Sequence, residues 1–506
     1  MADISQGNRA ELILNPGDVY RVSTGGSATV EAVYGAPAGT TTVTASTQDF
    51  GPYAANAKLI VRAVTGSCSY GINQAVPLMA RSGSLDDASR AVLGGSGIIV
   101  PPVSGGNLTT VFLGDSQMAF QTETVPIPFY TKIAGFFHWA NALSGAQWRL
   151  IRNAGVGGNN TKECLDRVGT DVIPYAPTAC EVCIGTNDLA PGAGVTNLPQ
   201  AETLANIAAI YDKLRGAGIW VRAYSVLPRA GFDAAMAARA LAINDFIKSY
   251  WSSHSGGEYI DIFTGVVDYT STTCAPKAGL LADGTHCGNV GAFTIGSIIA
   301  PYLSASRWVR NSILPSSVSQ DFAVNSSVAQ YARNPMCTGT SGTLQSGNSG
   351  SAPDYFTALT TANVTTVHAV GNNADGVGKY HELAMTATAA AAPNNQITLS
   401  SIPDGATFQV VGQVTILAGA TSLAGVGLQF VKTGVEALSA EVLFGATSGG
   451  SLPITSDTTI TYRSLPITKY AGDSIIGLYF RSHFNAAGAA TIRRTKFAIV
   501  PATKLV

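Results

Sequence analysis

The sequence predicts a multidomain protein whose central α/β domain, built on a doubly wound parallel sheet, lies between two β regions. Three observations predict this fold class. The 506 residues exceed what one hydrophobic core usually supports. Apolar residues alternate with a period of two at both ends of the chain, and strand-like runs alternate with helical patterns in its middle. The predicted β domain, linker, α/β domain, connector and C-terminal β domain span residues 1–70, 71–108, 109–305, 306–324 and 325–506.

The N-terminal region is predicted to be a small antiparallel β domain. Short alternating runs between residues 10 and 64 are separated by turn sequences such as Asn15-Pro16-Gly17-Asp18 and Gly25-Gly26. Residues 71–108 lose this period and contain Gly94-Gly95-Ser96-Gly97 and Pro101-Pro102. This composition is typical of a linker, with room for one short helix.

Strands and helices are predicted to alternate in the central region. The strand-like runs are residues 110–113, 149–152, 180–184, 220–226 and 259–263. Residues 201–216 and 232–251 show the clearest helical spacing of apolar side chains. Strands joined by helices run parallel, and a doubly wound sheet binds its ligands at the carboxyl ends of the strands. We therefore expect an active site at that edge.

The period of two returns after about residue 325. Seven strand-like segments predict an antiparallel β-sandwich or jelly roll: residues 380–389, 396–401, 407–417, 426–432, 456–463, 474–484 and 490–500. They follow a stretch at 339–351 that is almost wholly Gly, Ser and Thr.

Composition excludes several classes of function. Only 12% of residues are charged and the net charge is -1, so the overall charge does not favour binding to nucleic acid or anionic lipid. No apolar run reaches the length of a membrane span. The seven cysteines are an odd, scattered set, so most are expected to be free thiols. The N-terminal residues show no secretory signal.

A candidate nucleophile follows the first predicted strand of the central region. Gly114-Asp115-Ser116 places a serine hydroxyl at the carboxyl end of that strand. The alternative is a helix-capping serine. The tripeptide recurs as Gly472-Asp473-Ser474 without suitable partners, and we interpret that copy as a turn entering a strand.

Three further motifs supply the partners that the first serine needs. Residues 153–161 (NAGVGGNNT) follow the second strand, residues 185–188 (GTND) follow the third, and Asp283-Gly284-Thr285-His286 follows the fifth. Acyl transfer requires a nucleophile, a base, a carboxylate that orients the base, and donors for the oxyanion. A spacing of three lets one short loop present Asp283 and His286 together, although a lone histidine is more often an ordinary loop or core residue.

Cofactor and metal sites are disfavoured. The glycines of residues 153–161 fit neither the dinucleotide fingerprint nor the phosphate loop. Cys180 and Cys183 could suggest zinc, yet residues three apart in a strand face opposite sides and no second pair follows. Cys274 and Cys287 flank the base loop and are compatible with either a disulfide or two free thiols. No Gly-x-Ser-x-Gly elbow is evident, which argues against the α/β-hydrolase family.

With these motifs in this order, residues 109–305 resemble the SGNH or GDSL-type hydrolase superfamily, with its flavodoxin-like fold. The resemblance implies that Ser116 is the nucleophile, that His286 and Asp283 complete a triad, and that no cofactor is needed. It also implies that the Ser116 amide, Gly158 and Asn187 form the oxyanion hole.

Gly158 is chosen within its motif because the family places the donor glycine five residues after the motif asparagine, here Asn153. The sequence departs from common forms of the family at Gln117, where an aliphatic residue often follows the serine. It also departs at Cys287-Gly288, where proline often follows the histidine.

The three-part arrangement resembles bacteriophage tail-fibre and tailspike proteins, in which such hydrolases deacylate surface glycans. Residues 334–350 and the β region after them are similar to carbohydrate-binding regions of phage SGNH proteins. The resemblance implies an acetylated bacterial surface glycan as substrate, phage tail or baseplate proteins as partners, and a homotrimer. It also implies a virion tail protein made in the host cytoplasm without a signal peptide.

These observations predict a serine esterase that removes O-acetyl groups from capsule or lipopolysaccharide, without nucleic acid binding or membrane insertion. A general lipase or esterase for small apolar esters is one alternative. A receptor-binding adhesin with little catalysis is another, although the complete set of catalytic residue types speaks against it.

Overall fold

The computed structural model divides the chain into two compact units, Met1–Gly97 and Ile98–Val506. In the first unit it describes the backbone of strands between residues 2 and 73. In the second it describes residues 108–121, 135–189, 197–305, 308, 313–315, 331–399, 401–434, 438–445 (backbone only), 450–464 and 466–501.

The described strands of the first unit form two four-stranded antiparallel sheets, in the orders β1-β8-β3-β6 and β2-β7-β4-β5. They are β1 (Ala2–Ile4), β2 (Arg9–Leu14), β3 (Val19–Thr24), β4 (Ser27–Tyr34), β5 (Gly39–Thr44), β6 (Thr47–Phe50), β7 (Ala57–Thr65) and β8 (Cys68–Asn73). Because β8 runs past residue 70, the first residues of the predicted linker belong to a strand. Residues 74–107 of that linker, with its predicted helix, lie outside the described residues, and its last residue, Leu108, begins a strand of the central sheet.

The central sheet has five parallel strands in the order β10-β9-β11-β12-β13. They are β9 (Leu108–Gly114), β10 (Trp148–Gly155), β11 (Ala179–Cys183), β12 (Trp220–Tyr224) and β13 (Gly257–Ile260). The first two strands lie in reverse order in the sheet, which is the doubly wound topology that the sequence predicts. The switch point between β9 and β11 is where such sheets bind ligands.

Eight α-helices and one 3-10 helix (Ile173–Tyr175) of the described residues connect or extend these strands. The α-helices are, in chain order, α1 (Ser116–Ala119), α2 (Phe136–Leu143), α3 (Thr161–Asp171), α4 (Thr186–Leu189), α5 (Gln200–Gly216), α6 (Ala234–Ser253), α7 (Phe263–Val266) and α8 (Asn289–Leu303). Within the described part of the chain, none of the helices combines the length and the apolarity that crossing a membrane requires.

Local hydrogen bonds correct one predicted boundary. The fifth strand was expected to reach residue 263, but β13 ends at Ile260 and Phe263 begins α7. The Ser225 hydroxyl accepts hydrogen bonds from the Ile262 and Phe263 amides, at 2.9 and 2.8 Å. These amides are thereby withdrawn from the sheet, and the chain turns.

The sheet separates two apolar clusters, one on each face. Cys180 packs in one cluster and Cys183 in the other, both buried. Their thiols therefore cannot share one metal ion, as the strand periodicity predicts.

The C-terminal region is rich in β-structure and forms two sheets, in the orders β14-β16-β19-β25-β21-β22 and β15-β17-β18-β26-β20-β23. The strands are β14 (Thr343–Leu344), β15 (Asn348–Gly350), β16 (Phe356–Ala358), β17 (Val364–Asn372), β18 (Lys379–Ala387), β19 (Asn394–Ile397), β20 (Thr407–Ile416), β21 (Leu423–Thr433), β22 (Leu438–Gly445), β23 (Thr458–Arg463), β24 (Ile467–Thr468), β25 (Ser474–Phe484) and β26 (Gly488–Pro501). Each predicted segment overlaps a strand, and the sequence patterns did not predict β14 to β17, β22 or β24.

Aromatic side chains join the two C-terminal sheets. The Phe408 and Phe430 rings lie 5.3 Å apart, and Phe480 and Phe497 lie 4.6 Å apart, each pair with one ring from each sheet. The same apolar cluster continues into one face of the α/β sheet. The C-terminal sheets and one face of the α/β sheet therefore share a core.

Candidate active site

Strand register brings three of the predicted motifs to one edge of the sheet. Gly114, at the end of β9, pairs with Gly155 of β10 on one side and with Cys183 of β11 on the other. A Cβ atom at Gly114 would lie 2.2 Å from the Cys183 carbonyl oxygen, so only glycine fits there. The loops that follow these strands consequently begin side by side.

Asp115 and Ser116 form the start of α1. The Asp115 carboxylate caps this helix by accepting a hydrogen bond from the Gln117 amide at 2.8 Å. Asp115 is buried, whereas Ser116 is partly exposed. The turn thus points the serine hydroxyl outward at the carboxyl edge of the sheet.

The structure brings Ser116, His286 and Asp283 into one hydrogen-bonded series. The Ser116 Oγ atom lies 2.8 Å from His286 Nε2, and His286 Nδ1 lies 2.7 Å from Asp283 Oδ2. The Asp283 carboxylate accepts a hydrogen bond from the protonated Nδ1 atom, which leaves the Nε2 lone pair facing the Ser116 hydroxyl. This is the geometry that a general base requires.

The Asp283 loop keeps its carboxylate ionised. Partial desolvation acts to raise the pKa of Asp283, but hydrogen bonds from the His286 side chain and from the His286 and Thr285 amides outweigh it and lower the pKa to about 2. The two amides lie 2.7 and 2.9 Å from Oδ1. The carboxylate is therefore available to orient the imidazole at any ordinary pH.

The two other predicted oxyanion donors lie next to each other. Gly158 has a φ of +85°, in the left-handed region that favours glycine. The next residue, Asn159, offers its carbonyl oxygen to Asn187 Nδ2 at 3.0 Å. One hydrogen of the Asn187 amide therefore holds the glycine loop, and the second remains for another acceptor.

Arg167 was not singled out by sequence reasoning. Its guanidinium donates to the carbonyl oxygens of Gly114 and Ala154 and to the Asn159 side chain. It thereby connects the ends of β9 and β10 to the glycine loop. The sequence offers no signal for this role beyond the ordinary spacing of Arg167 and Asp171 on α3.

Asp115 and Asp188 are buried carboxyl groups behind the site. Burial raises the pKa of Asp115 to about 7, with the charge on Asp188 adding to the effect. Asp115 Oδ2 has no hydrogen-bond partner among the described residues. Burial also raises the pKa of Asp188, although Thr161 and Thr203 donate hydrogen bonds to it.

Phe120 forms an apolar wall beside the base. Its ring lies 4.6 Å from the His286 ring, edge to face, and it is 44% exposed. The sequence reading overlooked this residue because it lies outside the four motifs.

Two other sequence motifs lie outside the site. The six cysteines whose side chains are described are free thiols, including Cys274 and Cys287. Gly472 and Asp473 form a turn before β25, with Gly472 at a φ of +90° and Asp473 accepting a hydrogen bond from Lys432. The second Gly-Asp-Ser is therefore structural, as predicted.

Comparisons with known proteins address the same region. The model of the GDSL-like Lipase/Acylhydrolase family matches residues 112–292. Two similar solved structures are an acylhydrolase from Bacteroides fragilis described as putative (18% identity, 41% of this chain, 92% of that chain, TM-score 0.32) and a catalytic mutant of an acetylxylan esterase from Geobacillus stearothermophilus (14%, 41%, 99%, 0.33). A lipase/acylhydrolase from Enterococcus faecalis is another (18%, 39%, 95%, 0.30). No curated protein matches the chain. The segment that the family model matches carries Ser116, Gly158, Asn187, Asp283 and His286, and it is similar to the GDSL-like Lipase/Acylhydrolase family.

Proposed function

We propose that this protein is a serine esterase that removes O-acetyl groups from bacterial surface polysaccharide. The hydrogen-bonded series of Ser116, His286 and Asp283 is the observation that supports it most strongly. The family match to an acylhydrolase supports the same reaction type.

In the first half of the reaction His286 Nε2 takes the Ser116 proton as Oγ attacks the acetyl carbonyl. The tetrahedral oxyanion is held by the Ser116 amide, the Gly158 amide and Asn187 Nδ2. Asp283 stabilises the imidazolium that forms. The oxyanion collapses, and the imidazolium passes its proton to the departing sugar oxygen, which leaves as an alcohol.

In the second half water attacks the acetyl-enzyme. His286 accepts a proton from the water, a second oxyanion forms in the same site, and its collapse releases acetate. The imidazolium returns the proton to Ser116 Oγ. No step requires a metal or an organic cofactor.

The exposure of the site supports a polymeric substrate. The His286 side chain is 23% exposed and the Asp283 side chain 58% exposed. An ester on a large polysaccharide reaches such a surface site directly, whereas a long acyl chain is better buried in a deep apolar pocket.

We further propose that the protein is part of a phage virion tail, as a homotrimeric fibre or spike attached to tail or baseplate proteins. The order of the chain supports this, since an esterase domain is flanked by β-rich regions. The C-terminal β region then holds the glycan close to Ser116, which raises its effective concentration.

Acetate release from purified capsules and lipopolysaccharides tests the proposal. We expect wild-type protein to release acetate from at least one of them and Ser116→Ala to release none. A preference for long-chain lipid esters would instead indicate a lipase. Tight binding of a glycan without any acetate release would indicate an adhesin.

A further inference from the structure

Gln117 connects the helix that carries the candidate nucleophile to the loop that carries the candidate base. It follows Ser116 in α1 and is only 5% exposed. Its Nε2 atom donates a hydrogen bond of 2.8 Å to the Thr285 carbonyl oxygen. Thr285 lies between Asp283 and His286, so this one contact spans 168 residues of sequence and joins the two halves of the site.

Gln117 is itself firmly held. Its amide donates to Asp115 Oδ1 at 2.8 Å, and its carbonyl oxygen accepts a hydrogen bond of 2.9 Å from Gln121 Nε2. Gln121 is fully buried, and its Oε1 atom accepts from the Phe137 amide at the start of α2. The backbone of Gln117 is therefore held at both its amide and its carbonyl group, which fixes the position from which the side chain extends.

The base loop, in contrast, is partly exposed. Its Gly284 has a φ of +78°, and the Gly284 carbonyl oxygen accepts a hydrogen bond from the Ala230 amide at 2.8 Å. That bond comes from the segment after β12. The bond from Gln117 to Thr285 comes from the element that carries Ser116, so it bears directly on the distance between Ser116 and His286.

We propose that Gln117 is a positioning residue that holds His286 where Nε2 can receive the Ser116 proton. The inference rests on the proposed serine esterase function. Without the donor, the Thr285 carbonyl loses its partner and the loop samples positions in which Nε2 lies farther from Oγ. Proton transfer and attack are steeply sensitive to such displacement.

Three variants test this role in the full chain. Gln117→Met keeps the length of the side chain but cannot donate, and Gln117→Glu introduces a carboxyl group that cannot donate to the Thr285 carbonyl once it is ionised. Gln147→Met is the matched control, because Gln147 Nε2 donates a hydrogen bond to the Gly145 carbonyl outside the site.

With p-nitrophenyl acetate we expect Gln117→Met to lower kcat about 5- to 20-fold with KM within about twofold, as the loss of one hydrogen bond implies. Gln117→Glu should lose kcat as pH rises and its carboxyl group ionises, and the Gln147→Met control should match wild type. A kcat for Gln117→Met within twofold of wild type would overturn the inference. So would a loss that appears only in KM.

A second measurement does not depend on catalysis. The Thr285 and His286 amides donate to Asp283 in wild type, so their hydrogen exchange reports the order of the loop. We expect residues 283–287 to exchange about 10-fold faster in Gln117→Met, with 292–303 unchanged. Unchanged exchange at 283–287 would also overturn the inference. If wild type hydrolyses no ester but the exchange rises, the esterase proposal fails and the anchoring role stands.

Discussion

Asp115 and Asp283 show how differently the fold treats two carboxyl groups of one site. Asp283 is largely exposed and receives three hydrogen bonds, so it remains ionised. Asp115 is buried and receives one from Gln117, so its charged form is disfavoured and its pKa rises to about 7. At neutral pH the carboxylate that faces His286 is therefore charged, and the one behind Ser116 is partly protonated.

The raised pKa of Asp115 predicts a pH-dependent effect of Asp115→Asn on stability. The folded state holds the Asp115 proton more tightly than the unfolded state. Protonated Asp115 therefore contributes its full stabilisation of the fold below about pH 4, and this stabilisation is lost as pH rises through 7. Asparagine resembles the protonated form. The free energy of unfolding of Asp115→Asn, relative to that of wild type, should increase by on the order of 4 kcal/mol between pH 4 and pH 8.

Urea denaturation of both proteins at several pH values measures this difference. Asp166→Asn, at an exposed carboxylate paired with Lys162, is the control and should show little change. A constant difference between Asp115→Asn and wild type across the range would contradict the pKa.

The two Gly-Asp-Ser copies predict opposite outcomes for the same substitution. Ser116→Ala should lower p-nitrophenyl acetate turnover by about four to six orders of magnitude, because Ser116 Oγ is the atom that His286 Nε2 faces. Ser474 is exposed at the start of β25, and Ser474→Ala should be near wild type. A tenth of the activity left in Ser116→Ala would rule out the mechanism.

At the scale of elements, the loop after β10 limits which glycines can be tested. A Cβ atom at Gly155 would lie 2.1 Å from the Ala119 amide nitrogen, so any substitution there disrupts packing and says nothing about oxyanion binding. At Gly157 the nearest atom to such a Cβ is Ser116 Cβ at 4.0 Å. Gly158, at a φ of +85°, has a strained backbone with any side chain.

We therefore predict that Gly158→Ala lowers kcat by about 10- to 100-fold, because the donor amide tilts away from the oxyanion. It should also cost about 1–2 kcal/mol of stability. Gly157→Ala should change the free energy of unfolding by less than about 0.5 kcal/mol and retain most of its turnover. Equal kcat values for the two variants would place the donor elsewhere in the loop.

The contacts of Arg167 indicate that the ends of β9 and β10 and the loop after β10 are held together by one guanidinium group with several donors. Arg167→Lys keeps the charge but cannot reach Gly114, Ala154 and Asn159 together, so it should lose about 1–3 kcal/mol of stability and show a lower kcat. Arg152→Lys is the matched control, since Arg152 also pairs with Asp171 but lies nearer the surface. Equal urea midpoints for the two variants would contradict the role.

At the scale of the whole molecule, the C-terminal β region supports the α/β region. Asn289, at the start of α8 and three residues after His286, donates from Nδ2 to the carbonyl oxygens of Ala424 and Gly450, both at 2.8 Å. Asn289 is 2% exposed. The base loop is thus followed directly by a buried contact with the other sheets.

We predict that Asn289→Leu lowers the stability of the whole described core by about 2 to 5 kcal/mol, because two buried carbonyl groups lose their donor. All five tryptophans lie between residues 139 and 308, so their fluorescence follows the α/β region alone. Hydrogen exchange of residues 407–501 follows the C-terminal sheets. Both probes should give one urea midpoint that shifts together. Separate midpoints would show that the two regions unfold independently.

Most regular elements of the α/β and C-terminal regions could be predicted from local patterns. The five parallel strands and the two longest helices follow hydrophobic periods that a single segment carries. The short strands β14 to β16 could not, because they have two or three residues and form only where a neighbour offers a free edge. The shared core was not predicted either, because the change from helical spacing to a period of two indicated separate domains on either side of residues 306–324.

The sequence by itself predicted that the central strands run parallel and that Ser116, Asp283 and His286 are the candidate catalytic residues, since each prediction depends on local spacing or on a motif at a strand end. Only the tertiary structure decided what surrounds them. Gln117 donates a hydrogen bond to the Thr285 carbonyl oxygen, and Arg167 donates to carbonyl oxygens at the ends of β9 and β10. These contacts join residues far apart in the chain. They depend on strand register and side-chain packing, which hydrophobic periodicity does not encode.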